Sequence, residues 1–144
     1  MGLYSLSVRT TATASGAACA ELRSSASDRL RIREIEVTIA TAVASIFGLG
    51  RPAAIGVTPT SPVTVLAEDF ADAAGTGVVA LAWGTGPTSP TAFFRRCGLP
   101  ASIGAGRAWG FWNGPGLIVP VSSSIVVWNL QLNATADITF VLDE

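Results

Sequence analysis

Apolar side chains along this chain recur mainly with a period of two, the spacing that places them on one face of a β-strand. Residues 29–40 (RLRIREIEVTIA) carry the clearest case: Leu30 and Ile32 fall in one phase, Ile35, Val37 and Ile39 in the other. The phase changes at Arg33-Glu34. Either a β-bulge there restores one continuous apolar face, or the strand buries opposite faces at its two ends. The last strand, residues 136–142, alternates Ile138, Phe140 and Leu142 against Asp137, Thr139 and Val141. Residues 3–13 alternate loosely, with Tyr4, Leu6 and Val8 on one side, and suit an edge strand or an arm laid across a neighbour. Residues 14–27 are rich in Ala and Ser. A short helix over 17–23 competes there with a strand in which Cys19, Glu21 and Arg23 alternate with Ala18, Ala20 and Leu22, and the strand is preferred.

Three of the four tryptophans, Trp109, Trp112 and Trp128, lie in the stretch 103–130. Its apolar runs, 107–112 and 117–130, are separated by Asn113-Gly114-Pro115-Gly116, and Ser122-Ser123-Ser124 supplies a second reversal. Between the two ends of the chain the pattern predicts strands over 43–49, 63–67, 78–83 and 91–97. Residues 51–62, with three prolines, read as a long irregular connection, and 84–90 as a loop. Phe93 and Phe94 point to opposite faces of their strand, as do Arg95 and Arg96. Nine or ten short strands and no long helix predict an all-β fold. The expected architecture is a two-sheet antiparallel sandwich, jelly-roll topology preferred over an immunoglobulin-like one, with a partly extended N-terminal arm. The arm or edge strands would occupy residues 1–28 and the sandwich 29–144, one domain overall.

Composition alters this picture at the surface. Apolar residues make up 49% of 144 residues and charged residues 13%, with a net charge of -1. Ten acidic and nine basic side chains must then cover a folded surface of about 7,000 Å². A monomer so sparsely charged risks association, so part of the surface is expected to be covered by other subunits. All nine basic residues are arginine and histidine is absent. Without histidine the chain has no usual general base and lacks the commonest metal ligand, so neither an enzyme nor a metal or cofactor site is expected. Cys19 and Cys97 are expected as reduced thiols. The opening MGLYSLSVRT has no signal-like segment, which predicts synthesis in the cytoplasm. Prolines and glycines interrupt the uncharged run between Ala108 and Ala136, so a membrane helix is not expected.

Candidate motifs fare poorly against plainer readings. Gly104-Ala105-Gly106 invites comparison with a dinucleotide fingerprint, but the third glycine is misplaced and the segment reads as a turn. Asn133-Ala134-Thr135 matches a glycosylation sequon, of no consequence without a secretory route. The acidic run Glu68-Asp69-Phe70-Ala71-Asp72 does not follow EF-hand spacing and reads as a solvated loop. Arg29, Arg31 and Arg33 share a strand face. With Glu34 and Glu36 adjacent and no basic excess, an intersubunit or solvated row is preferred over nucleic-acid contact. Trp109 and Trp112 differ by three positions, so one ring is expected buried and one exposed.

Taken together, RLRIREIEV, GLGRP, TAFFRR, LPASIGAG, GLIVP and SIVVWN, spread over residues 30–129, resemble small jelly-roll virion proteins of tailed phages, in particular head-decoration or cement proteins. The resemblance implies a homotrimer or another symmetric oligomer on the outer face of an icosahedral capsid, bound to the major capsid protein. No site residue carries over from it. Arginines and aromatics are favoured at interfaces, so Arg29, Arg31, Arg33, Phe93, Phe94, Trp109 and Trp112 are the candidate assembly residues. A glycan- or receptor-binding virion module using exposed tryptophans is the alternative.

Overall fold

The computed structural model describes residues 2–11, 14–131 and 134–144. Among them every regular element is a strand: β1 (Leu3–Arg9), β2 (Ala18–Arg23), β3 (Leu30–Ile39), β4 (Ser45–Gly50), β5 (Val57–Pro59), β6 (Val63–Thr64), β7 (Leu66–Ala67), β8 (Val78–Ala80), β9 (Trp83–Thr85), β10 (Arg95–Leu99), β11 (Gly106–Gly110), β12 (Leu117–Val119), β13 (Ser124–Gln131) and β14 (Ala136–Asp143). One six-stranded sheet runs β11-β3-β14-β1-β7, with β12 also on β3, and a second runs β10-β4-β13-β2-β8-β6. All pairings are antiparallel. Consecutive strands β1 to β4 alternate between the two sheets, so each crosses the sandwich to reach the next.

The core lies between the sheets. Leu6, Ile32, Ile35, Val37, Ile138, Phe140 and Leu142 from the first sheet meet Leu22, Phe47, Leu49, Ile125 and Val127 from the second. Of the two possibilities left open for β3, the bulge is the one realised: Val141 faces Glu34 and Leu142 faces Ile32, which leaves Arg33 as the extra residue. All five apolar side chains of β3 are consequently buried on one face. The bulge also divides the neighbouring edge. β11 covers Glu34 to Thr38 and β12 covers Leu30 to Ile32, while the Arg33 carbonyl accepts the Phe111 N–H at 2.7 Å. Gly116 turns the chain between them with φ of 76°, where a Cβ would stand 2.6 Å from the Ile32 carbonyl oxygen. Only glycine suits that position.

The long excursion between β4 and β10 folds over the outer face of the second sheet. There Ala18, Val126 and Trp128 are covered by Trp83, Phe93 and Leu130, so β13 is buried on both faces from Ser124 to Asn129. Phe93 lies over Gly48, whose hypothetical Cβ would approach its ring to 2.9 Å.

Several expected boundaries shift, and the excursion is the reason. Residues 51–62 are not wholly irregular, because β5 pairs with β9 in a small separate sheet. The strand expected over 63–67 is two short pieces: β6 joins the second sheet and β7 the first, with Val65 buried at the crossing. Residues 78–83 break after Ala80, where Trp83 leaves the second sheet for β5. The strand expected over 91–97 begins only at Arg95. At the N-terminus, β1 pairs along its length with β14 and with β7 at Tyr4 and Ser5, and β2 lies between β13 and β8. Residues 3–9 and 18–23 are thus built into the sandwich rather than forming an arm or edge. Ala12 and Thr13 of the N-terminal segment and Asn133 of the sequon lie outside the described residues.

Candidate assembly interface

The arginine row of β3 does not act as a unit. Arg29 is exposed, whereas Arg33 is tied down: its guanidinium pairs with Asp143, the Nε to Oδ2 distance being 2.7 Å, and Nη1 donates to the Gly114 carbonyl at 3.1 Å. Arg31 stands across from Asp143 in the ladder. With Ser27, Asp28, Arg29 and Glu144 it borders a shallow cleft of about 370 Å³ in which both charge signs meet.

Phe93 and Phe94 separate as expected, although they precede their strand. Phe93 packs on the outer cluster of the second sheet, with the Arg96 guanidinium over its ring at 5.8 Å. Phe94 is 42% exposed beneath Arg51. The tryptophans also divide. Trp109 is buried in the core and Trp112 is 55% exposed, its indole N–H donating to Glu34 at 3.1 Å. Trp112 lies two residues beyond β11, and the alternation continues to it: Phe111 packs against the core and Trp112 stands on the outward side with Gly110.

Three other arginines lie at one edge of the sandwich, Arg95 and Arg96 on opposite faces of β10 as alternation predicts, over Phe111 and Phe93 respectively. Strands β10 and β11 are the terminal strands of the two sheets on the same side, and Arg95, Arg96 and Arg107 line a cleft of about 500 Å³ between them with Cys97, Gly98 and Trp109. Arg95 lies over the Phe111 ring at 5.4 Å. None of the three arginines has a carboxylate within salt-bridge distance among the described residues. Burial pushes the Cys97 thiol up, partly offset by a backbone hydrogen bond from Phe47 and by the nearby Arg107 charge. Cys97 and Cys19 are not joined by a disulfide; β4 and β13 lie between their strands, about 14 Å at ordinary strand spacing and beyond disulfide reach.

At the other edge, the acidic run forms a tight turn after β7. The Asp69 carboxylate accepts the Ala71 N–H at 2.9 Å and the Asp69 carbonyl the Asp72 N–H at 3.0 Å. Phe70 at its tip is 100% exposed, flanked by the exposed Glu68, Asp69 and Asp72.

One residue not singled out from the sequence holds the excursion in place. The Glu21 side chain is fully buried on the outer face of β2. Its carboxylate accepts hydrogen bonds from Ser124 Oγ (2.6 Å), Trp83 Nε1 (2.7 Å), Gly56 N (3.1 Å) and Arg23 Nη1 (3.2 Å), and Arg23 also donates to the Gly56 carbonyl at 2.7 Å. Four donors offset the cost of burying the charge. Alternation along β2 indicated only that Glu21 faces away from Leu22; the covering segment is more than thirty residues away in sequence.

No group of His, Cys, Asp and Glu suited to a metal ion occurs among the described residues. No protein-family model, no curated protein and no solved structure matches this chain.

Proposed function

We propose that this chain is a jelly-roll structural protein of a phage virion, a decoration or cement protein that self-associates, sits on the outer surface of the head and stabilises the shell. The topology half of this reading rests on strand order. Counting β11 with β12 as one broken strand, the orders β11/β12-β3-β14-β1 and β10-β4-β13-β2 interleave two Greek keys, the connectivity of a jelly roll. The excursion from β5 to β9 is then an insertion that extends both sheets at their β1 and β2 sides.

The observation that carries the functional half is the apolar surface left open on a single chain. Phe70, Ile103, Leu66, Val57 and Trp112 are each more than half exposed. A sparsely charged protein with such side chains at its edges and loops is suited to being covered by copies of itself and by a lattice. The major capsid protein is the proposed lattice partner. The glycan-binding alternative rests on Trp112 alone, because Trp109 and Trp128 are buried.

Co-sedimentation with purified phage heads that lack their decoration protein tests the reading. Saturable binding at a fixed ratio to capsid subunits, with a raised temperature of head disruption, is the expected result. A folded protein that stays in the supernatant at all concentrations, yet is retained on a glycan array through Trp112, would replace it with the alternative.

A further inference from the structure

The two charged edges described above have complementary shapes as well as opposite signs. One carries a fully exposed phenylalanine on a turn that also bears the exposed carboxylates Glu68, Asp69 and Asp72; the other carries an open cleft bordered by three arginines without carboxylate partners among the described residues. They belong to opposite sides of the sandwich. From β11 to β7 the first sheet takes four strand steps, roughly 19 Å.

We infer that the Phe70 turn of one copy docks into the Arg95/Arg96/Arg107 cleft of the next copy, so that the protein assembles head to tail. This rests on the proposed self-association and specifies its contact. Phe70 would lie against Phe111 at the mouth of the cleft, while the carboxylates meet Arg95 and Arg107; Arg96 borders the cleft from the opposite face of β10, its guanidinium over Phe93. An aromatic anchor within a charge-complementary rim is the arrangement that gives an interface both affinity and orientation. Cleft volume is adequate: about 500 Å³ lies within the range of roughly 300–1,000 Å³ that holds small ligands. Symmetry follows from placement. A two-fold axis would bring both the turn and the cleft of each copy against the same partner in one interface, which patches on opposite edges cannot satisfy, so the contact is heterologous and, where it closes, makes a ring of three or more copies.

The experiment is charge exchange read by sedimentation velocity on the full chain, with circular dichroism confirming the fold of each variant. Wild type is expected to sediment as a closed oligomer whose affinity falls with salt, since screening shortens the reach of these charges from about 10 Å at 0.1 M to about 3 Å at 1 M. The turn variant Glu68→Arg/Asp72→Arg and the cleft variant Arg95→Glu/Arg107→Glu are each expected to weaken association at least about 100-fold. Combining all four substitutions in one chain restores the wild-type oligomer. Mixing the two double variants gives only even-numbered assemblies, because each accepts the other and not itself. Phe70→Ser provides a control that cannot disturb the core, and is expected to weaken association about ten-fold or more. Double variants and Phe70→Ser that sediment as wild type, failure of the four-fold variant to recover, or a monomeric wild type would each overturn the head-to-tail contact. Binding to undecorated heads is measured separately. Retained head binding alongside a negative result here would remove this contact and leave the proposed function standing.

Discussion

Replacing Glu21 tests whether a single buried carboxylate fastens the 51–94 excursion to the sandwich. In Glu21→Leu, the Ser124 hydroxyl, the Trp83 indole N–H and the Gly56 N–H lose their acceptor, and Arg23 keeps only the Gly56 carbonyl. Leaving a buried donor unsatisfied costs about 1–3 kcal/mol, and stripping one partner from a buried ion pair about 3–5 kcal/mol. These costs overlap, and the Arg23 side chain is 20% exposed, so water replaces part of what is lost. A net destabilisation of about 3–4 kcal/mol is expected, equivalent to a fall in Tm of roughly 10–15 °C for a domain of this size. Glu21→Gln should lose more than half as much. Its oxygen can still accept from Ser124 and Gly56, but its NH2 then faces the donors of Trp83 and Arg23. Urea and thermal unfolding at fixed protein concentration give the magnitude. Limited proteolysis gives the location, with cuts expected within 51–94 before the sheets unfold. A Tm within about 2 °C of wild type for both variants would refute the claim that this carboxylate holds the excursion.

Three further outcomes follow from particular contacts. Trp128 is 1% exposed and its indole N–H has no hydrogen-bond partner among the described residues; Trp128→Phe should therefore cost less than about 1.5 kcal/mol in urea unfolding, and Trp128→Ala about 3–5 kcal/mol. Gly48→Ala places a methyl group 2.8 Å from Leu130 Cδ1 and 2.9 Å from Phe93 Cδ1, and is expected to cost about 1–3 kcal/mol while shifting Phe93 without disturbing the inner core. The Arg9 guanidinium at 2.7 Å holds the Asp137 carboxyl below its usual range. Because the folded pKa is the lower one, the pair contributes stability above the unfolded value of about 3.9 and loses it as pH falls through the folded value. Wild type should thus exceed Asp137→Asn in Tm at pH 7, and the difference should disappear in a titration toward pH 2.

Period-two alternation determined the strands wherever one face of a strand meets the core. In β3 it located the phase change at Arg33-Glu34 and left two outcomes, of which the packing selects the bulge, because Leu30, Ile32, Ile35, Val37 and Ile39 are all buried on one face. The same local rule assigned β14. It also anticipated that Trp109 and Trp112 would part, since the alternation runs on past the end of β11. Alternation fails where both faces are covered. Ser124 to Asn129 are all buried, so the pattern of β13 carries no information on which face meets which layer. It fails again over 51–94, whose short pieces are chosen by what they lie on: β6 and β7 belong to different sheets because Val65 is drawn into the core between them. Low charge in the composition raised the expectation of a covered surface, but composition assigns no position to anything. The Arg95, Arg96 and Arg107 cleft exists because β10 and β11 end their sheets on the same side, and Glu21 is an anchor because Gly56 and Trp83 pass over it. Local pattern specifies what a residue's own backbone does; which distant segment covers it depends on the packing of the whole chain.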